Sequence, residues 1–192
     1  NYHYEQRFIQ FANVSANNFS LSGASHLIDL GVSSLAVTTD AFGITRPVYL
    51  NQDMGAFEFQ GYLAWAGEIR NGLTNIGDSA AGDGYPNLLK YVTGSNPTNA
   101  DGLSQVLARL TNGALILEFN RDTNAVDATL VVEGSSTIAD EASWKSLASN
   151  HNGSWMGPAT VSEAGSNPVA VTVHDDAPLW TNRFLRLRVT MP

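Results

Sequence analysis

The chain has 192 residues, of which 43% are hydrophobic and 15% charged; this is enough apolar material for a folded core and excludes global disorder. Its net charge of −8 argues against nucleic acids and anionic membranes as partners, and no apolar run reaches the ~18 residues of a membrane span. The absence of cysteine excludes disulfides, thiolate metal sites and cysteine nucleophiles. We therefore expect no nucleic-acid binding and no membrane insertion.

The first part of the chain, residues 1–60, reads as a series of short strands. Apolar pieces such as FIQFANV, NFSLSG and RPVYL are separated by Asn, Ser and Gly, and each is too short to bury a face of its own. The next part, residues 61–102, holds two candidate helices, GYLAWAGE and PNLLKYVTG. In the second of these, Pro86 takes a first-turn position and Gly94 takes the C-terminal cap.

The last part, residues 103–192, predicts an antiparallel β-sandwich. Four segments alternate apolar and polar residues as half-buried strands do, namely ALILEFNR, ATLVVEGSS, PVAVTVHD and FLRLRVTM. In the last segment Leu187 and Val189 alternate with Arg186 and Arg188. Two antiparallel sheets packed face to face are the most economical way to bury such strands.

Three motifs in the first part follow one another in a fixed order: NFSLSGASHLIDLG (18–31), TDAFGITRP (39–47) and DMGAFEFQ (53–60). In this order they resemble the closing turns of bacterial right-handed parallel β-helix (pectin-lyase-like) proteins. His26 and Leu27 stand where those proteins usually have Pro and Ala before the Ile-Asp pair. The resemblance implies that the first 60 residues form closing coils of a parallel β-helix.

The following motifs resemble the tail of such proteins: the element DGYPNLLKYVTGSNP, a Val-Glu-x-Ser strand and a final Arg-Phe-x-Arg-Leu-x-Val strand. The predicted fold is thus mainly β, with terminal coils of a parallel β-helix (1–60) joined by a short helical linker (61–102) to an antiparallel β-sandwich accessory domain (103–192). Tails of this kind follow β-helices in large secreted proteins of polysaccharide-degrading bacteria, some of them polysaccharide lyases or glycosidases and others surface adhesins.

The stretch GDSAAGDGYPNLLKY has the outline of a calcium loop. With Asp83 at the fifth ligand position, Ala81 falls at the third and Lys90 at the twelfth, and neither supplies the oxygen that calcium needs. Asp78, Asp83 and Asn87 are the candidate calcium ligands. We favour the alternative, a capped turn in which Lys90 replaces the ion by a salt bridge to Asp83 or Asp78. No cofactor is therefore expected, with calcium as the open alternative.

Four carboxylates, Asp29, Asp40, Asp53 and Glu58, lie in the first part of the chain. Paired carboxylates could act as acid and base on a glycan. We favour a structural role, in which each accepts backbone N–H bonds at a turn and Arg46 pairs with one of them. The sequence has no HExxH, Gly-x-Ser-x-Gly or P-loop pattern, so we predict no catalytic residues in this chain.

Aromatic side chains are the remaining binding candidates, because the C–H groups of a sugar ring stack on a π-face. We assign this role to Trp155, Trp144 and Trp180, with Tyr62 and Trp65 as further candidates. The alternative for each is burial in the core. Trp155, in the segment HNGSWMGP, is expected in an exposed loop, and Trp144 on another connection between strands.

These features together predict a non-catalytic C-terminal part of a secreted or cell-surface bacterial protein that acts on carbohydrates, capping the β-helix and binding polysaccharide. One alternative is a structural or adhesive surface or filament protein, and another is a polysaccharide lyase or glycosidase whose catalytic coils lie upstream. Because isolated coils expose unpaired backbone, the expected partner is an upstream β-helix segment of the same precursor or a copy of this chain.

Overall fold

The computed structural model describes residues 11–16, 18–22, 25–32, 37–48, 51–59, 61–100, 106–111, 113–177 and 182–191. Its strands and helices are β1 (Phe11–Asn13), β2 (Asn18–Leu21), α1 (Gly61–Ala66), α2 (Asn87–Thr93), β3 (Val106–Thr111), β4 (Ala114–Arg121), β5 (Thr129–Ser135), β6 (Lys145–His151), β7 (Ser154–Met156), β8 (Thr160–Ala164), β9 (Val169–Asp175) and β10 (Phe184–Thr190). The predicted mainly β class is confirmed.

Two four-stranded antiparallel sheets form the larger part of the fold. Their strand orders are β3-β4-β9-β8 and β10-β5-β6-β7. The four strands predicted from alternation are β4, β5, β9 and β10, and the antiparallel sheets are confirmed. The sequence does not predict β3, β6, β7 and β8. Strands β3, β7 and β8 are edge strands with mostly exposed residues, so their sequences lack a clear buried face. The inner strand β6, KSLASNH, buries a small and a polar residue, Ala148 and Asn150, so it has no apolar alternation to detect.

The inner faces of the two sheets share one hydrophobic core. Leu117 and Val173 are direct neighbours across β4 and β9, and Val132 and Ala148 are neighbours across β5 and β6. All four are buried, and burial of each of the three larger side chains, Leu117, Val132 and Val173, stabilises the fold by roughly 1.5–3 kcal/mol. Val92 of α2 belongs to the same cluster, so the predicted helical linker packs into the core of the sandwich.

The two helices form where the sequence predicted them. Pro86 is the N-terminal cap of α2 in an extended conformation, which suits a residue that has no N–H to donate. Gly94 caps the other end with φ 71° and ψ 24°, a left-handed conformation that strains any residue with a Cβ. Neither described helix is long and apolar enough to cross a membrane.

The described residues before position 60 form turns held by a few antiparallel pairings. β1 and β2 make a hairpin, Phe11 packs edge-on against Phe19 at a ring-centroid distance of 5.7 Å, and Thr39 and Thr45 form an isolated antiparallel bridge. No parallel strand pairing occurs among the described residues of this part of the chain.

Candidate functional site

Asp40 holds three backbone groups of the N-terminal turns. Its Oδ1 accepts hydrogen bonds from the N–H groups of Phe42 and Ile44, both at 2.8 Å, and its Oδ2 accepts one from Glu58 at 3.0 Å. Burial would raise the pKa of this carboxyl, but the three N–H donors and the nearby Arg46 hold the pKa below its ordinary value. Asp40 is therefore ionised and fully engaged at neutral pH.

Asp53 and Glu58 connect the same turns from inside. They are only 4% and 3% exposed. Asp53 accepts hydrogen bonds from the N–H groups of Asp29 and Phe59, and Glu58 accepts them from Asp53 at 3.0 Å and Val48 at 3.1 Å. Burial raises the pKa of Asp53 to about 6, against the lowering effect of its two backbone donors. Both carboxylates thus point at the chain itself rather than at solvent.

Arg46 and Asp29 complete this network. Arg46 Nε lies 3.4 Å from Glu58 Oε1, and its Nη2 donates to the carbonyl oxygen of Gly55 at 2.8 Å. Oδ1 of Asp29 accepts a hydrogen bond from the N–H of Asn51 at 2.9 Å. All five residues that the sequence assigned to structural turns therefore join one loop to another.

The loop before α2 is closed by a buried ion pair. Lys90 is fully buried, and its Nζ lies 2.8 Å from Oδ2 of Asp83, whose side chain is 9% exposed. Nζ also donates to the carbonyl oxygen of Asn99. The other oxygen of Asp83 accepts hydrogen bonds from the Ser79 hydroxyl and the Tyr85 N–H, each at 3.1 Å. The sequence predicted a salt bridge from Lys90 to either Asp83 or Asp78, and the partner is Asp83.

The partners of Asp83 also lower the pKa of its carboxyl. Burial alone would raise that pKa, but the Lys90 ammonium, the Tyr85 N–H and the Ser79 hydroxyl hold it below its ordinary value. Asp83 is therefore ionised at neutral pH, and the ammonium balances its charge inside the fold.

The other two candidate calcium ligands have partners of their own. Oδ2 of Asp78 accepts hydrogen bonds from the backbone and side-chain N–H groups of Asn75 at 2.9 and 3.0 Å. Asn87 accepts from a backbone N–H through Oδ1 at 3.1 Å and donates to the Leu73 carbonyl through Nδ2 at 2.7 Å. Within the described ranges, no three His, Asp or Glu side chains are grouped as metal ligands. With an ammonium beside Asp83, the loop does not fit a calcium ion.

A cleft of about 380 Å³ lies between the N-terminal turns, the two helices and the loop after β4. This volume falls at the lower end of the ~300–1,000 Å³ typical of small-ligand sites. We call it the Trp65 cleft. Its wall includes Leu21, Phe42, Phe59, Trp65, Asp122 and Asn124.

The Trp65 side chain is held in one orientation. Its ring packs on those of Tyr62 and Tyr91 at centroid distances of 5.5 and 5.8 Å, and its Nε1 donates to the carbonyl oxygen of Ser95 at 3.2 Å. Asp127 fixes both tyrosines, because it accepts hydrogen bonds from the Tyr62 N–H at 2.9 Å and the Tyr91 hydroxyl at 2.6 Å. The half-buried indole therefore has a fixed orientation in the cleft wall.

Polar groups and a second aromatic ring complete the wall. Oδ1 of Asp122 accepts hydrogen bonds from Asn124 N and Asn167 Nδ2, both at 2.8 Å, while no described residue donates to Oδ2. The Asn124 side chain is exposed. Phe42 is 65% exposed and packs on Phe57 at a ring-centroid distance of 4.5 Å. The sequence pointed to Trp65 but not to Phe42, Asp122 or Asn124.

Trp155 does not lie in a loop, and this prediction was wrong. It belongs to β7, which pairs with β6. Its half-buried ring lies 6.4 Å from that of Phe119, and its Nε1 donates to Oε1 of Glu163 at 2.7 Å. The Trp155 ring is therefore anchored against the sandwich core, with only part of its surface exposed.

The other two predicted binding tryptophans lie apart from the cleft or outside the described residues. Trp144 stands between a short 3-10 turn and β6, on a connection as predicted. The guanidinium of Arg186 lies 4.3 Å above its ring, and that guanidinium also donates to Glu133 at 2.8 Å. One face of Trp144 is thus occupied by a cation–π contact. Trp180 lies outside the described residues.

Comparisons with known proteins assign neither a family nor a function to this chain. Neither a scan against protein-family models nor searches of curated proteins and of solved structures found a match for this chain. The resemblance to β-helix tails stays a prediction.

Proposed function

We propose that this chain is a non-catalytic, glycan-binding C-terminal region of a secreted bacterial carbohydrate-active protein. The observation that carries the proposal is the Trp65 cleft, where a rigid indole stands beside polar groups able to bind sugar hydroxyls. An aromatic face with a few fixed polar groups is the combination that orients a sugar ring, because its C–H face is apolar and its hydroxyls are polar.

The non-catalytic part of the proposal is supported by the state of the carboxylates. Asp40, Asp53 and Glu58 are buried, and their carboxylate oxygens accept hydrogen bonds from backbone N–H groups. A glycosidase pair must instead present one proton donor and one base or nucleophile to the same bond. Asp40 and Asp53 do not line the cleft, and Glu58, which does, has both oxygens engaged by the N–H groups of Asp53 and Val48. These three carboxylates therefore stabilise the turns.

We further propose that the turns before position 60 end a parallel β-helix and dock on an upstream segment of the same precursor or on a second copy of this chain. Exposed apolar side chains in this part support the idea, among them Phe19 at 46%, Leu30 at 62% and Val32 at 88% exposed. The α2 region then joins that helix to the sandwich, and the Lys90–Asp83 pair holds this joint without calcium.

The binding proposal is tested by pull-down on insoluble polysaccharides and by titration with soluble oligosaccharides followed through tryptophan fluorescence. Phe42→Ala and Trp65→Ala should each weaken binding by roughly fivefold, because each removes an aromatic contact of the order of 1 kcal/mol. Phe42 is largely exposed, so its variant keeps the fold. Met156→Ala, which removes an exposed apolar side chain outside the cleft, is the matched control.

Unchanged affinity in both cleft variants would reject the cleft as the site. The same titration with Trp155→Ala then decides whether the sandwich-edge tryptophan is the contact instead.

A further inference from the structure

We infer that the Trp65 cleft selects uncharged glycans and rejects acidic ones such as polyuronates. This inference rests on the proposed function and adds the substrate class. It follows from the charges that surround the cleft and from the hydrogen-bonding groups that its wall offers.

The described residues of the cleft wall carry negative charge only. Glu58 and Asp122 line it, and none of its described lining residues is Lys, Arg or His. Asp127 lies directly behind the wall, bonded to Tyr91, and Asp40 lies behind Glu58. A uronate carboxylate in the cleft would meet like charges in a partly desolvated space, and this arrangement disfavours binding.

Arg46 and Arg121, described cations adjacent in the chain or by contact to residues of the cleft wall, are already bound by carboxylates. Arg46 pairs with Glu58, and its side chain is only 7% exposed. Arg121, the residue before Asp122, makes two hydrogen bonds to Glu163, at 2.8 and 3.1 Å, and its side chain is 6% exposed. Turning either guanidinium into the cleft would break its ion pair, and in the case of Arg46 it would remove the cation beside the buried Glu58 carboxylate. Neither is therefore positioned to serve as the partner of an acidic sugar.

The polar groups of the wall match hydroxyl donors. Oδ2 of Asp122 can accept a hydrogen bond from a sugar hydroxyl, and its carboxylate is held in place by Asn124 and Asn167 through Oδ1. The exposed Asn124 amide can both donate and accept. A neutral pyranose ring with its C–H face on Trp65 could therefore donate one hydroxyl to Asp122 Oδ2. An adjacent hydroxyl could donate to or accept from the Asn124 amide.

The test uses an immobilised panel of oligosaccharides probed with the full chain. The uncharged members are oligomers of glucose, mannose, galactose and xylose, and the acidic members are oligogalacturonate and oligomannuronate. We expect binding to uncharged members at least tenfold tighter than to any acidic member at low salt. Added salt should narrow this ratio, because it screens the repulsion.

The variant Asp122→Asn probes the charge directly, since it keeps the Oδ1 acceptor but removes one negative charge. It should raise the affinity for acidic members relative to uncharged ones by about tenfold, the effect of one like charge several ångströms away at intermediate dielectric. Tighter binding of an acidic member, or an unchanged ratio in Asp122→Asn, overturns the inference and leaves glycan binding intact. No binding to any member overturns the proposed function itself.

Discussion

Replacing Lys90 by Met removes the buried cation of the joint and keeps most of its apolar stem. The gross attraction across the 2.8 Å ion pair is about 6 kcal/mol at an effective dielectric constant of 20. Desolvation of both groups offsets part of it, but loss of one partner leaves the Asp83 carboxylate buried and uncompensated. We expect the free energy of unfolding to fall by about 3–5 kcal/mol.

Urea unfolding followed by tryptophan fluorescence measures this change. Lys145→Met is the matched control, because the chain has this second lysine on an exposed site, and it should change stability by less than about 0.5 kcal/mol. The double variant Lys90→Met/Asp83→Asn should recover much of the loss, since Asn keeps an acceptor for Ser79 and Tyr85 and carries no charge. A loss below about 1 kcal/mol in Lys90→Met, or no recovery in the double variant, would refute the reasoning.

Two further predictions concern ions and protons. Saturating calcium should leave the melting temperature equal to that in a chelator, whereas a rise of several degrees with calcium would contradict the ion-pair joint. The pKa of Asp53 is raised from 3.8 to about 6 in the folded chain, so the folded state binds this proton more tightly than the unfolded state does. The stability that this proton contributes is present at low pH and is lost as the pH rises through about 6. The unfolding free energy of the wild type should therefore fall relative to Asp53→Asn by at most about 3 kcal/mol between pH 4 and pH 7, and parallel profiles of the two proteins would contradict this.

Local patterns in the sequence predicted the local structure well. Alternation identified β4, β5, β9 and β10, and the Pro86 and Gly94 signals marked the ends of α2. The Lys90–Asp83 ion pair could be predicted for the same reason. The ligand spacing of a calcium loop places residue 90 against the Asp-Gly turn. In each case the interacting residues are close in the chain.

The Asn152-Gly153 pair is a local sequence signal for the strand position of Trp155. Asn152 and Gly153 have φ values of 49° and 76°, the left-handed pair typical of a two-residue hairpin turn, and Asn-Gly is the strongest sequence signal for it. This turn pairs Asn150 with Trp155 and so makes β7 a strand. By contrast, nothing local joins Phe42, Trp65 and Asp122; the cleft exists only once the turns, helices and sandwich are packed together.

The Lys90 ammonium also changes how the joint depends on its surroundings. A metal that clamps a loop stabilises it only in proportion to the logarithm of the free ion concentration, so chelating glycans or a calcium-poor medium would loosen it. A cation carried on the chain is present at unit occupancy in every molecule and cannot diffuse away. The orientation of α2 against the preceding loop therefore does not depend on the concentration of a free metal ion around the protein.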